Sequence, residues 1–398
     1  MKKVKLKDVL TEIIDFSSKA KYSGRSNITS ERYIPTLSAL SVHNNFIDYS
    51  KCYYVTLNEY KEMTSNRIPK IGDILLTKEA PVGRVAMLDK DNIAIGRRLW
   101  LLTGKENILD NNYLLYFLQW NKTQKLLKSI SGGSTVKSVN INSFKNIEVN
   151  IHSYEEQIKI GHILSLIDKK INLNNKINDN LVKQAKLAYD YLFKNKQRNR
   201  SYNFDDQENV PLKDFCENII TGKTPPTTNE SFFNGDIPFI TIEDLSKSIF
   251  ITKTHRTLSA EGANFQSNKF IPSGSLCVSC IATIGKIGFT TSLSQTNQQI
   301  NSVIFPDNKY NNYIYFALEE LFRNASFKTG NVFANLNKTE FSEILILKPS
   351  DELLLEFNKT TSILFKKIRS NSFENDTLYS IREKLLPLLM NGQVTIED

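Results

Sequence analysis

The chain has 398 residues, of which 40% are hydrophobic and 23% are charged, and this composition excludes an intrinsically disordered protein. No apolar run approaches the ~18 residues of a membrane helix, and four cysteines are too few for a disulfide framework, so we predict a cytoplasmic protein without membrane association. The formal charge of +9 suggests a polyanionic partner, although the lysine bias of an AT-rich genome would produce the same value.

The same unit occurs twice in the chain. Four short segments recur in the same order about 200 positions later, with a spacing that shrinks slowly along the chain, as small insertions and deletions in two copies of one unit would produce. The matching pairs are Val4–Val9 with Val210–Phe215, Ile71–Val85 with Ser273–Ile287, Asn111–Leu114 with Asn311–Ile314, and Lys169–Ile171 with Lys366–Ile368. We therefore predict a tandem duplication.

Each copy begins with about 150 residues in which short β-rich runs alternate with helical stretches, punctuated by Gly and Pro. The predicted strands are Asp73–Thr77, Val85–Leu88, Leu99–Leu102, Ser275–Ile281, Val303–Phe305 and Ile344–Leu347. The predicted helices are Tyr113–Leu127 and Tyr313–Arg323. The pattern indicates one compact α/β domain in each copy and leaves the strand order open.

Each copy ends with a long helix whose apolar positions alternate in steps of four and three residues, which is typical of a coiled-coil seam. In the first copy this seam consists of Ile160, Leu164, Ile167, Ile171, Asn174, Asn178, Leu181, Ala185, Ala188 and Leu192. In the second copy it consists of Phe357, Thr361, Leu364, Ile368, Asn371, Asn375, Leu378, Arg382, Leu385 and Leu389. Two matched seams in one chain favour pairing of the two helices with each other.

The connection between the copies favours antiparallel pairing. A helix of about forty residues is roughly 60 Å long, and the connection Lys194–Asn209 is too short to span that length comfortably, as parallel pairing would require. Antiparallel pairing places Asn174 and Asn178 opposite Asn371 and Asn375, where buried amides would fix the register. The alternative is that these asparagines point to solvent.

The predicted fold class is α/β, with two tandem α/β domains separated by two long antiparallel helices that form a coiled coil with pseudo-twofold symmetry. Such an arrangement suits a ligand that has an approximate dyad and a repeat. Duplex DNA has both, and dimeric DNA-binding proteins contact half-sites about one helical turn apart on it. Since the two copies have diverged, the two half-sites need not be palindromic.

The sequence resembles the specificity (S) subunits of type I restriction-modification enzymes over its whole length. The resemblance is carried by Leu76–Val85 with Gly96–Leu99, by Gly222–Pro225 with Asp236–Ile240, by Thr283–Gly288 with Asn297–Ile300, and by Lys384–Leu386 with Met390–Gln393. It implies target recognition domains at 1–152 and 210–349, long spacer helices at 153–198 and 350–392, a linker at 199–209 and a tail at 393–398. The first domain departs from the second, with Gly96-Arg97-Arg98 where the second has Asn297-Gln298-Gln299.

The resemblance further implies that each domain reads one half of a bipartite, asymmetric site in double-stranded DNA. The helices would dock two methyltransferase (M) subunits, and restriction (R) subunits would join through that complex. Outside the seam, the residues that the sequence offers for docking are Lys169, Lys170, Lys183, Lys186, Leu187, Tyr189, Tyr191, Leu353, Leu354, Lys366, Lys367 and Tyr379.

The sequence contains no recognisable catalytic motif. It lacks a phosphate-binding GxxxxGK[ST] loop, a dinucleotide-binding GxGxxG and the Asn-Pro-Pro-aromatic run of adenine methyltransferases. Cys277 and Cys280 form a lone CxxC in a predicted strand, where residues three apart face opposite sides, so buried thiols are favoured over a zinc site. We predict a non-catalytic subunit without cofactor or metal. The competing classes are a self-sufficient DNA-modifying enzyme and a structural coiled-coil scaffold.

The candidate DNA contacts are Arg, Lys, Asn, Gln, Ser and Thr side chains in loops beside glycines, because these residue types read base edges or bind phosphates. In the first domain they are Lys78, Arg84, Arg97, Arg98, Ser134, Thr135 and Lys137. In the second domain they are Lys223, Thr224, Thr227, Thr283, Lys286, Gln298, Gln299, Lys328 and Asn331. The alternative for each residue is a solvated surface position or a structural hydrogen bond.

Overall fold

The computed structural model describes residues 1–16, 28–133, 136–195, 208–246, 248–327 and 335–396. The chain divides into two compact units, of which unit 1 comprises Met1–Lys170 with Leu378–Asp398 and unit 2 comprises Ile171–Thr377. Both division points fall inside the predicted long helices, so each helix contributes to each unit. No helix in these described ranges is both long and apolar enough to cross a lipid bilayer.

Unit 1 is a mixed α/β structure, as predicted. Its strands are β1 Lys2–Lys5, β2 Leu10–Asp15, β3 Arg32–Leu37, β4 Val42–His43, β5 Phe46–Ile47, β6 Tyr53–Thr56, β7 Ile74–Thr77, β8 Val85–Met87, β9 Ala94–Ile95, β10 Leu99–Gly104, β11 Ser131–Gly132, β12 Ser138–Val139 and β13 Glu148–Ile151. Its shorter helices are α1 Leu6–Val9, α2 Leu57–Met63, α3 Asn111–Gln119, α4 Asn121–Ser129 and α5 Ile141–Lys145.

The centre of unit 1 is an antiparallel sheet in the order β2-β10-β7-β8. All four residues of β7 are buried, because the alternating side chains of the strand enter two different cores. Ile74 and Leu76 pack in the core that contains α3, whereas Leu75 packs with Leu37 on the other side. A second sheet, β6-β3-β9, contains a parallel β3–β9 pair.

Unit 2 repeats this plan. Its strands are β14 Asn209–Pro211, β15 Asn218–Thr221, β16 Phe233–Ile240, β17 Phe250–Ile251, β18 Arg256–Leu258, β19 Leu276–Ser279, β20 Ile287–Thr290, β21 Gln295–Thr296, β22 Ile300–Ile304 and β23 Leu345–Leu347. Its shorter helices are α7 Ala260–Asn264, α8 Asn311–Phe327 and α9 Lys338–Ser342. The sheet β15-β22-β19-β20-β17 corresponds to the central sheet of unit 1, and β18-β16-β21 corresponds to β6-β3-β9.

One predicted helix is divided into two in the structure. The stretch Tyr113–Leu127 is not a single helix, because Trp120 has an extended conformation, with ψ of 133°, and separates α3 from α4. The side chain of Gln124 donates to the carbonyl of Leu118 at 2.7 Å and to that of Gly83 at 2.8 Å, so it satisfies a backbone acceptor at the break. The corresponding helix of unit 2, α8, is continuous.

The predicted long helices are present as α6, Tyr154–Asp190, which continues into a π-helical turn at Tyr191–Asn195, and α10, Asp351–Met390. In unit 2 they pair antiparallel. Asn174 donates to Asn375 at 2.9 Å, and Asn371 donates to Asn178 at 2.8 Å. Three of these four asparagines are less than 10% exposed, so the solvent-facing alternative is wrong and the antiparallel prediction is confirmed.

In unit 1, the same antiparallel register is marked by a charge pair. The guanidinium of Arg382 on α10 donates to the carboxylate of Asp168 on α6 at 3.1 Å. The hydroxyl of Tyr116 on α3 donates to the other oxygen of that carboxylate at 2.7 Å. These bonds tie α3 and both long helices together within unit 1.

Part of the predicted docking surface on the helices is wrong. Tyr189, Leu353 and Leu354 are buried in the core of unit 2, because α6 and α10 pack against α8 there. The ammonium of Lys186 lies within 4 Å of the carboxylates of Asp190, Glu319 and Glu320, so its charge is matched inside the unit. Among the remaining apolar candidates, Leu187 is 68% exposed.

Candidate nucleic-acid interface

The first element of the candidate interface is the turn between β7 and β8 in unit 1. The hydroxyl of Thr77 accepts from the backbone N–H of Arg84 at 2.8 Å, and the carbonyl of Thr77 accepts from Gly83 at 2.9 Å. Ala80 and Gly83 have positive φ angles of 48° and 94°, so the chain reverses through left-handed conformations that favour glycine. The turn fixes the position of Arg84 relative to the sheet.

Unit 2 contains the same turn between β19 and β20. The hydroxyl of Ser279 accepts from the N–H of Lys286 at 2.9 Å, and its carbonyl accepts from Gly285 at 3.0 Å. Ala282 and Gly285 have φ angles of 65° and 86°. Lys286 therefore occupies the position that Arg84 occupies in unit 1.

A second turn lies beside the first in both units. In unit 1, the N–H of Lys78 donates to the carbonyl of Arg98 at 3.0 Å. In unit 2, the N–H of Cys280 donates to the carbonyl of Gln299 at 2.8 Å. The segments Gly96-Arg97-Arg98 and Asn297-Gln298-Gln299 thus occupy equivalent places.

A third segment joins the same edge. The N–H of Val139 donates to the carbonyl of Lys78 at 3.0 Å, and the N–H of Leu336 donates to that of Cys280 at 2.9 Å. In unit 1 this bond brings the short β11–β12 pair, with exposed Lys137 nearby, next to the other two turns. Three segments that are distant in sequence therefore meet at one edge of the domain. The predicted contacts Ser134, Thr135, Lys328 and Asn331 lie outside the described residues.

The basic side chains of unit 1 differ in their burial and in the hydrogen bonds and ion pairs that they form within the domain. Lys78 is only 9% exposed, and its ammonium lies 2.6 Å from the carboxylate of Asp15, which also accepts from the indole of Trp100. The guanidinium of Arg84 donates to the carbonyls of Ala39 and Val42 at 3.3 and 3.4 Å. Lys78 would have to break its ion pair with Asp15 to contact DNA.

Arg97 and Arg98 project from the second turn of unit 1. Arg98 forms an ion pair with Glu79 at 3.0 Å and is partly buried, whereas Arg97 is exposed. Both line a cavity of about 250 Å³ together with Leu40 and Tyr53. Sequence reasoning missed Leu40 and Tyr53, because neither lies in a segment that recurs in the second copy.

The interface of unit 2 is polar but carries fewer cations. The hydroxyl of Thr224 donates to the side-chain oxygen of exposed Gln298 at 2.5 Å, and Asn297 donates to that of Gln299 at 3.0 Å. The ammonium of Lys223 lies 5.6 Å from the centre of the Phe265 ring, within the range of a cation–π contact. Three further predicted contacts are exposed, namely Thr227, Thr283 and Lys286.

The CxxC pair lies beneath this surface. Cys277 and Cys280 are both buried as free thiols, as predicted, and burial raises the pKa of each to about 12. Thiols with such pKa values are poor sources of the thiolate that binds metals. Among the residues that the structure describes, no group of three His, Cys, Asp or Glu side chains is placed to hold a metal ion.

Comparison with known proteins agrees with this architecture. A family model described as the type I restriction modification DNA specificity domain matches residues 1–183 and again residues 205–378. The type I restriction enzyme HindI specificity subunit of Haemophilus influenzae is 31% identical over 399 residues, which cover 82% of this chain and 87% of that protein. The MjaIX specificity subunit of Methanocaldococcus jannaschii is 27% identical over 367 residues, covering 86% of this chain and 82% of that protein.

Among solved structures, the S subunit of a type I restriction-modification system from M. genitalium shares the fold, with a TM-score of 0.61. That similarity covers 98% of this chain and 95% of the other at 16% identity. The duplicated α/β domain and the paired helices thus define a protein with two tandem recognition domains. The chain belongs to the family of type I restriction-modification specificity subunits.

Proposed function

We propose that this chain is the non-catalytic, sequence-specific DNA-binding subunit of a type I restriction-modification enzyme. Each domain reads one half of a bipartite, asymmetric target in double-stranded DNA. One observation carries the proposal, namely that both domains build the same pair of turns and place different polar side chains on them. Two domains that recognise different half-sites need the same backbone turns to present side chains to DNA and different side chains to contact different bases.

The test is to map methylated bases in the genome of cells that express the chain together with a methyltransferase subunit. We expect one motif with two unlike, fixed parts separated by a spacer of constant length. Cells with the methyltransferase subunit alone serve as the control and should lack this motif. A contiguous palindromic motif, or the same motif in the control, would contradict the proposal.

We also propose that α6 and α10 dock two methyltransferase subunits, one on each unit, and that restriction subunits join through that complex. The helices carry exposed apolar residues at corresponding positions of the two copies. Ile158 and Leu166 are 46% and 49% exposed in unit 1, and Leu355 and Ile363 are 58% and 71% exposed in unit 2. Exposed apolar patches mark protein contact sites, and the same two helix positions are apolar and exposed in both copies.

The docking proposal is tested with Leu166→Glu and Ile363→Glu in the full chain. Each substitution places a charge on one unit and should reduce the number of bound methyltransferase subunits from two to one, while the double variant should bind none. Native mass spectrometry of the purified complex gives the count. Leu57→Glu is the matched control, because Leu57 is an exposed leucine on α2 and belongs to neither long helix. Two subunits on the double variant would contradict the docking site.

A further inference from the structure

The second turn of each domain carries an exposed side chain beside a partly buried one. In unit 1, Arg97 is exposed, and Arg98 is partly buried and paired with Glu79. In unit 2, Gln298 is exposed, and Gln299 is partly buried and accepts from Asn297. The exposed position of the turn therefore carries a guanidinium in one domain and a carboxamide in the other.

The backbone around this position is fixed in the same way in both domains. In unit 1, Gly96 donates to the carbonyl of Leu37 at 2.8 Å and accepts from Leu99 at 3.1 Å. In unit 2, Asn297 donates to the carbonyl of Ile240 at 3.1 Å and accepts from Ile300 at 3.2 Å. Together with the bonds to Arg98 and Gln299, these contacts place the α-carbons of residues 97 and 298 at equivalent points of their domains.

The two side chains have different partners among the bases. A guanidinium donates two parallel hydrogen bonds to O6 and N7 of guanine in the major groove, whereas a carboxamide pairs with N6 and N7 of adenine. We propose that Arg97 and Gln298 are corresponding base-reading residues, Arg97 selecting a guanine in one half-site and Gln298 an adenine in the other. This assignment rests on the proposed function and names the chemistry by which the two half-sites differ.

Thr224 gives the amide of Gln298 a defined orientation. Its hydroxyl donates to the side-chain oxygen of Gln298. The oxygen keeps a second lone pair for N6–H of adenine, and the amide nitrogen donates to N7. Thr224 is thus a positioning residue for the reading of adenine.

The decisive experiment exchanges the two chemistries in the full chain. Arg97→Gln and Gln298→Arg are each expressed with a methyltransferase subunit, and the preferred sequences are selected from a pool of random DNA duplexes at two salt concentrations. Arg97→Gln should lower the preference for guanine at one position by about 5- to 150-fold, with adenine gaining there. The other half-site should stay unchanged, and Gln298→Arg should give the reciprocal result.

Two further variants separate base reading from simple charge. Arg97→Lys keeps the charge but loses the planar fork, so it should retain overall affinity and its salt dependence while discriminating less at the guanine position. Thr224→Val should weaken the preference for adenine at the position read by Gln298 and leave the first half-site untouched. Thermal unfolding of each variant checks that the domain remains folded.

The outcomes are distinguishable. If Arg97→Gln weakens binding to all duplexes equally and reduces the salt dependence, Arg97 contacts phosphate and the assignment is overturned. If it alters both half-sites, the one-to-one correspondence is overturned. If the unsubstituted chain with its methyltransferase subunit selects no sequence at all, the proposed function itself fails.

Discussion

Units 1 and 2 share a framework but hold the long helices together with different chemistry. In unit 1, the space between α3, α6 and α10 contains Tyr116, Asp168 and Arg382, joined by hydrogen bonds and an ion pair. The repeat places Phe316, Phe365 and Ala185 at the corresponding positions of unit 2. A polar network in one copy thus matches an aromatic cluster in the other.

The two solutions have different costs. In unit 2, the Phe365 ring contacts Tyr315 and Phe316 with ring centres 5.8 and 6.0 Å apart, so it gains from apolar burial without desolvating a charge. In unit 1, burial raises the pKa of Asp168 above its ordinary value, although Arg382 and Tyr116 act to lower it. The network therefore holds a carboxylate that burial disfavours. The space between the long helices and the neighbouring domain helix can therefore be filled in two ways. Either apolar rings pack there, or polar groups fill it and are paired with one another.

The largest effect is expected from Phe365→Ala in unit 2. Loss of the ring leaves a cavity in the aromatic cluster and should lower the free energy of unfolding by about 3–5 kcal/mol. Thiol labelling of buried Cys277 and Cys280 in increasing denaturant reports unit 2, and fluorescence of Trp100 and Trp120, the two tryptophans of the sequence, reports unit 1. Labelling that is no easier than in the unsubstituted chain would contradict the packing role.

Arg382→Ala in unit 1 comes next. It leaves the buried carboxylate of Asp168 without its cation, and we expect a loss of about 3 kcal/mol, at the lower end of the range for buried pairs because the Arg382 side chain is 18% exposed. Tryptophan fluorescence in denaturant measures it. The triple variant Tyr116→Phe/Asp168→Phe/Arg382→Ala, which copies unit 2, should recover most of the loss. If the triple variant is as unstable as the single one, the packing of Arg382 rather than its charge is what unit 1 needs.

A smaller effect is expected at the seam within unit 2. Asn174→Ala removes one donor to Asn375 and leaves a buried amide oxygen unpaired, which should cost about 1–3 kcal/mol. Asn175→Ala is the control, because Asn175 is exposed yet accepts from Asn375 at 2.8 Å. Denaturant unfolding followed by thiol labelling measures both. If both variants lose the same free energy of unfolding, burial of the amide does not determine the free energy lost when its hydrogen bond is removed.

Acid should affect unit 1 through His152, whose position in the repeat is occupied by Pro349 in unit 2. Burial lowers the pKa of His152 below its ordinary value of 6.5, so the folded state resists protonation. The stability that depends on neutral His152 is therefore complete above pH 6.5 and is lost as the pH falls through the lowered pKa. Fluorescence unfolding midpoints between pH 7.5 and 5.5 should fall less in His152→Gln than in the unsubstituted chain. Parallel pH curves for the two proteins would exclude this role.

The sequence predicted the features that depend on repetition and periodicity. The duplication, the long helices and the antiparallel match of Asn174 with Asn375 all follow from patterns that recur in both copies. The same repeat pairs Arg97 with Gln298, and the hydrogen bonds of the two turns agree with that pairing. Contacts of these residues with DNA remain predictions.

Other features depend on contacts between residues far apart in the chain, which periodicity does not reveal. The ammonium of Lys78 pairs with the carboxylate of Asp15, 63 positions away, so this lysine beside the β7–β8 turn is buried. The sequence predicts one continuous helix across Trp120, but the helix breaks there, and the side chain of Gln124 satisfies a backbone carbonyl at the break. The helical pattern alone predicts Tyr189 on an outer surface, whereas the structure packs it in the core of unit 2 with α8.

The way the two helices are shared has a consequence for the order in which the protein is made. Leu386, Leu389 and Met390 belong to the same core as Leu6 and Val9. During translation, the core of unit 1 therefore lacks these three residues until nearly the whole chain has been synthesised. Every residue of unit 2 is synthesised before Leu378, so the unit that begins later in the chain is the first to have all of its residues.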